Sequence, residues 1–313
     1  MKALRPKTGL SDSDVQNNVE SQIVERRQVP KQGDRYTLVD FKHEVLGTDG
    51  EKMWDLLKFK KNLILQGSPG VGKTFSAKRL CYYAMGVKDD SHIFNVQFHS
   101  SYSYESFIVG LFPKEEGGFY LKTGILFDVC QKALADPNGM YFLIIDEINR
   151  GNTSSIFGEI FSLIEKEHRG DVMTTKYKGI DLCIPPNLYI IGTMNTADRG
   201  LIALDYALRR RFSFYTLRPA YDNYDFNSFM GKYQSRALAE ALTNMIDLNR
   251  EISEDETLGE GFAIGHSYWF GYEQFDNETV HNILTYEIFP LVEEYWFDKP
   301  DKVERWKLRL GIL

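Results

Sequence analysis

Four short clusters in this chain have residue types and spacings that suit phosphate chemistry. The first is Gly67-Ser68-Pro69-Gly70-Val71-Gly72-Lys73-Thr74, with Phe75 next, which matches the pattern G-x-x-x-x-G-K-[ST]. Its glycines let the backbone turn with N–H groups inward, making a cradle for phosphate oxygens, and a helix starting at Lys73 aims its positive dipole end at the same place. Lys73 is expected to reach the β- and γ-phosphates of a bound nucleotide, and the Thr74 hydroxyl to ligate Mg²⁺. The second cluster is Asp146-Glu147, which follows the apolar run 141–145. Asp146 is expected to hold the Mg²⁺ through its water shell, and Glu147 to polarise the attacking water. The third is Asn195, whose amide can hold that water and a γ-phosphate oxygen together. The fourth is Arg209-Arg210-Arg211. Three adjacent cations repel unless anions meet them. One explanation is the preference of cations for a helix C-terminus. The reading adopted here is that one or two of them reach the nucleotide of a neighbouring subunit as arginine fingers.

The elements that must position these groups follow from the hydrophobic pattern. Apolar runs predict strands near 62–66, 93–98, 141–145, 188–192 and 213–217. The run 141–145 has no polar alternation, as befits a parallel strand covered on both faces. Asp146 and Asn195 then fall at the carboxyl ends of strands, beside the phosphate loop, where open α/β sheets place their ligands. A helix is predicted from Lys73 towards Met85. Another is predicted over 153–168, with Asn152 or Thr153 as its N-cap and Ile156, Phe157, Ile160, Phe161 and Ile164 as its buried stripe. Residues 171–187 read as a hairpin or loop insertion. Gly117-Gly118-Phe119-Tyr120 reads as a loop whose aromatics can hold a ligand or, the reading preferred here, pack beneath it.

From Pro219 the texture becomes helical. The chain therefore reads as a mobile arm over 1–34, an α/β nucleotide-binding subdomain over 35–218 and a mainly helical lid over 219–313. Within the lid, Gly265-His266-Ser267-Tyr268 stands out. His266 at a helix start can face a phosphate or base, or sit in the core with its ring satisfied.

Composition narrows the class. The chain has 313 residues, 43% hydrophobic and 26% charged, enough for a sizeable core. A net charge of −7 argues against a surface that is wholly a nucleic-acid footprint. Cys81, Cys130 and Cys183 show neither zinc spacing nor a disulfide framework, which makes a reducing cytoplasm the default. No apolar run approaches a membrane span. Asp301, Glu304 and Lys307 mimic a nuclease motif but lie too close in sequence to occupy two arms of a hairpin, so the chain is not read as cutting DNA itself.

Five strands with these motifs and a helical lid resemble an AAA+ module, and more closely the McrB family of AAA+ GTPases. The residues that carry the resemblance are 67–74, Gln97-Phe98-His99 with 101–105, 145–150, Met194-Asn195-Thr196-Ala197-Asp198-Arg199, 207–213 and 265–268. The resemblance implies that Lys73 and Thr74 bind nucleotide and Mg²⁺, that Asp146 and Glu147 serve metal and water, and that Asn195 is a sensor. It implies that Asp198 shapes the site and that Arg150, Arg210 and Arg211 act across a subunit interface. It further implies a hexameric ring, an McrC-like endonuclease partner and DNA contact made indirectly or through another domain or subunit. GTP rather than ATP is implied by the resemblance alone, because the loop touches only phosphates and no N-K-x-D motif occurs. The rival readings are a MoxR-like or dynein-related ATPase that remodels protein complexes and a nucleotide-switched scaffold that does not hydrolyse. Glu147 and Asn195 speak against the scaffold.

Overall fold

The computed structural model describes residues 33–177, 179–197 and 206–312. The expected arm over 1–34 falls, apart from its last two residues, outside that range. So do Asp198 and Arg199.

Strand β1 (Asn62–Gly67) leads into the phosphate loop; β2 (Ile93–Gln97) follows the loop's helix. A hairpin of β3 (Val109–Pro113) and β4 (Phe119–Thr123) comes next, then β5 (Tyr141–Asp146). A second hairpin pairs β6 (Val172–Thr174) with β7 (Asp181–Cys183), and β8 (Leu188–Asn195) and β9 (Ser213–Thr216) complete the set. Among the described residues β1, β2, β5, β8 and β9 form one parallel sheet in the order β2-β5-β8-β1-β9.

Both faces are covered, and period-2 alternation divides each strand between them. Ile64, Leu143, Ile145 and Ile190 pack with the helix Ile125–Ala135 and with residues 156–164. Leu63, Leu65, Ile144 and Ile191 pack on the other face with the helices Gly50–Lys60 and Lys73–Met85. Register matters more than shape here. Gln97 lies opposite Asp146 and Gly67 opposite Asn195, so the carboxyl ends of four strands finish side by side.

Two expectations are corrected. Residues 153–168 do not form one helix. A short helix Thr153–Phe157, capped by Asn152, stops at Gly158, whose φ of +52° breaks the α ladder; 3₁₀ turns follow at Gly158–Ser162 and Lys166–His168. Ile156, Phe157, Ile160 and Ile164 are nonetheless buried. The Gly117–Tyr120 stretch is not a loop over packed aromatics. It turns the β3–β4 hairpin, and Phe119 is 69% exposed because neither face of its strand meets the core.

After β9 the described chain is helical. The helix Arg236–Glu254 buries Leu238, Ala241, Leu242, Met245, Leu248 and Ile252, a stripe at helical spacing. A π-helical turn, Leu284–Ile288, interrupts the helix before Pro290, which has no N–H to give the regular ladder. Trp269, Trp296 and Trp306 anchor a core separate from those of the sheet.

Candidate active site

The phosphate loop is built by its glycines. Gly70 and Gly72 both have φ of +76°, and Gly72 caps the helix Lys73–Met85 from the left-handed region. A Cβ on Gly72 would meet nothing within 4 Å, so its side of the cradle is open. Val71 turns into the core, and the buried Ser68 hydroxyl has no hydrogen-bond partner. Lys73 Nζ donates to the carbonyls of Gly67 (3.0 Å) and Ser68 (2.8 Å), which hold the ammonium at the mouth of the loop.

The acidic pair arrives from β5. Asp146 Oδ1 accepts from the hydroxyls of Thr74 (2.8 Å) and Thr193 (2.9 Å). A hydroxyl beside a carboxylate is a hard oxygen set that suits Mg²⁺, an ion that keeps several waters and needs few protein ligands. Among the described residues no cluster of three or more His, Cys, Asp or Glu offers a fuller cage. Glu147 sits in the left-handed region at φ +53°, which costs a non-glycine residue about 1–2 kcal/mol. Its N–H is taken by the Thr193 hydroxyl (3.2 Å). Its carboxylate receives Gln97 Nε2 (3.2 Å) and pairs with Arg150 Nε (2.9 Å).

Lys73, Thr74, Phe75, Asp146, Glu147 and Asn195 thus line one cavity of about 330 Å³, together with Gly70, Gly72, Gln97 and Thr193. The sequence does not single out Thr193, and it marks Gln97 only as part of the Gln97-Phe98-His99 stretch. Their signal is a polar residue at or near the carboxyl end of β2 or β8, the two strands that flank β5 and its acidic pair.

The lid touches the loop directly. Gly265 N–H donates to the Pro69 carbonyl (3.0 Å) and Ser267 N–H to that of Gly70 (2.8 Å). The fit is tight, since a Cβ on Gly265 would lie 1.9 Å from the Gly70 carbonyl carbon. Asn249 holds the strap from behind: its Oδ1 accepts from Ile264 N–H (2.7 Å) and its Nδ2 donates to the Ile264 carbonyl (2.9 Å).

His266, expected as a possible ligand of phosphate or base, belongs to the core instead. It is buried between Phe226 and Phe270, its Nδ1 accepts from Ala220 N–H (3.1 Å), and it does not line the cavity. Burial pulls its pKa down to about 4.

Of the arginines expected to act across an interface, Arg150 stands at the site, paired with Glu147 of its own chain, while Arg210 and Arg211 lie elsewhere. Asn62, the first residue of β1, donates through Nδ2 to the Arg211 carbonyl (3.0 Å), and Lys60 Nζ donates to the Arg210 carbonyl (2.6 Å). Arg209–Arg211 therefore sit at the amino end of β1, while the cradle is at its carboxyl end, ~17 Å away for a six-residue strand. The two candidate fingers differ. Arg210 is 73% exposed. Arg211 is 11% exposed and turned inward, its guanidinium over Phe161 and donating to the Ala207 carbonyl (2.9 Å).

Comparison with known proteins agrees with this architecture. Residues 62–212 match the model of an AAA domain (dynein-related subfamily), and 240–304 match that of the McrB alpha-helical lid domain. Over 266 residues, 81% of this chain, the sequence is 47% identical to the type IV methyl-directed restriction enzyme EcoKMcrB subunit of Escherichia coli K12, of which it spans 58%. It is 28% identical to the type II restriction enzyme BsuMI component YdiS of Bacillus subtilis 168, over 68% of this chain and 76% of that protein. With a P-loop sheet, its strand-tip site and a lid of this type in one chain, the protein is a member of the McrB family of AAA+ proteins.

Proposed function

We propose that the chain hydrolyses a nucleoside triphosphate, GTP in preference to ATP, as the ring-forming motor subunit of an McrBC-like restriction system whose nuclease is a separate subunit. The observation that carries this reading is the separation along β1. One subunit assembles the cradle, metal and water groups at the carboxyl end and holds an exposed arginine at the amino end, too far to serve its own cavity.

In this reading the loop N–H groups and Lys73 bind the β- and γ-phosphates, while Thr74 and Asp146 hold Mg²⁺. Held there, the ion would supply charge neutralisation for the phosphates. Glu147 and Asn195 orient a water for in-line attack on the γ-phosphorus, and Arg150 and Gln97 keep the Glu147 carboxylate facing the cavity. Arg210 of the next subunit offsets charge on the transferring group, as a trans arginine does in other P-loop enzymes. Restriction enters from the relatives' names, hexameric closure and the endonuclease partner from the family resemblance, and GTP from that resemblance alone. The cytoplasm is the compartment proposed.

The test is a mixing experiment with GTP and ATP measured side by side. Lys73→Ala and Arg210→Ala subunits are each expected to be nearly inactive alone. Mixed in equal amounts, roughly a quarter of head-to-tail interfaces join a sound cradle to a sound arginine, and hydrolysis returns in proportion. Absence of rescue overturns the trans role.

A further inference from the structure

Both arginines at the end of the helix Tyr206–Arg211 meet one carboxylate oxygen. Glu165 Oε1 pairs with Arg210 NH2 at 3.0 Å and with Arg211 NH2 at 2.7 Å. We infer that Glu165 is a positioning residue that parks Arg210 on its own subunit and releases it to a neighbour's phosphate. The inference rests on the trans role of Arg210 proposed above.

The two pairs are unequal in the way such a device requires. Glu165 is 22% exposed and Arg211 11%, so that pair is shielded. The pair with Arg210 has one partner in open solvent, where an ion pair contributes little and exchanges readily. A phosphate presented by a neighbour is the stronger acceptor, because guanidinium and phosphate match in a bidentate, charge-assisted geometry. Departure of Arg210 leaves Glu165 still paired with Arg211, so no partly buried charge is orphaned by the exchange. A carboxylate serving Arg210 alone would meet that penalty at every cycle.

The backbone beneath the arginines is fixed, which confines the motion to the side chain. Lys60 Nζ donates to the carbonyls of Arg210 (2.6 Å) and Phe212 (3.3 Å), and Asn62 Nδ2 to that of Arg211 (3.0 Å). Asn62 is itself buried, its Oδ1 taking Arg169 NH2 (2.6 Å). Arg169 also donates to the carbonyls of Ile164 (3.1 Å) and Leu188 (3.1 Å), and Asn62 Nδ2 to that of Ile164 (2.7 Å). The residue before Glu165 is thus tied to the starts of β1 and β8. Carboxylate and helix end form one rigid frame, and Arg210 is its swinging member.

The experiment uses the full chain and reads hydrolysis against protein concentration. Glu165→Gln keeps an oxygen for Arg211 but removes the charge that holds Arg210. The concentration giving half-maximal hydrolysis is expected to fall by about 1.5- to 5-fold, the range spanned by exposed ion pairs. In an Arg210→Ala background the same substitution is expected to leave the residual rate unmoved. Glu165→Asp, which keeps the charge but draws the carboxylate back from both arginines, is the second variant and should shift the curve in the same direction. No fall with either variant, or an equal fall without Arg210, overturns the parking role. Full hydrolysis by Arg210→Ala alone overturns the trans reading instead, a distinct outcome.

Discussion

Glu147 is held in a conformation that its residue type disfavours, and the partners that hold it say why. Its N–H goes to Thr193, and its carboxylate is aimed by Gln97 and Arg150. A residue free to choose would leave the left-handed region, so the strain holds the carboxylate at a strand tip, where the proposed chemistry would use it. Glu147→Gln preserves the size, the backbone contact and one oxygen, and removes the charge that faces Arg150 and that, in the proposed reading, polarises water. Nucleotide affinity is expected to stay within a few-fold, while turnover falls by about 10²- to 10⁴-fold. Calorimetric binding alongside single-turnover hydrolysis separates the two; unchanged turnover would place the base elsewhere.

At the scale of elements, the close approach of lid and loop is the feature most exposed to a single methyl group. Gly265→Ala would drive a Cβ into the Gly70 carbonyl, which backbone must move to admit. A loss of about 1–3 kcal/mol in stability is expected, as for other overpacked sites, together with weaker nucleotide binding because Gly70 belongs to the cradle. Thermal melts with and without nucleotide check this; an unchanged melt and affinity would show that the contact is dispensable. The strap was not legible in the sequence. Backbone hydrogen bonds between two loops leave no periodicity, and Gly265-His266-Ser267-Tyr268 announced itself only as an unusual string. By contrast, β1, its loop and the helix Lys73–Met85 were read closely, because an apolar run, three glycines and a lysine leave few alternatives. The stripe over 153–168 misled for an instructive reason. Ile156, Phe157, Ile160 and Ile164 satisfy helical spacing, yet successive short turns around Gly158 bury the same side chains. The alignment of Asp146 with Gln97 and of Gly67 with Asn195 depended on strand order, which spacing along one chain does not encode.

For the molecule as a whole, His266 sets part of the response to acid. An unfolded histidine titrates near 6.5, whereas burial holds this one neutral down to about 4. Between those values the unfolded chain binds a proton that the folded chain refuses, so stability rises with pH across the window. The contribution is complete above pH ~6.5 and falls by up to about 3 kcal/mol as the pH drops through 4. Substituting asparagine, whose Oδ1 can take over the hydrogen bond from Ala220 N–H, should flatten the difference in urea stability between pH 6.5 and 4. A slope equal to that of the unsubstituted chain would assign the acid sensitivity to other groups. The remaining consequence concerns assembly. If Arg210 serves a neighbour as proposed, β1 carries a receiving end and a giving end, and copies joined head to tail in an open row would leave one cradle unserved and one arginine idle. On that proposal, closing the row would remove both vacancies at once, and the reward for completing a circle would lie in the length of a single strand.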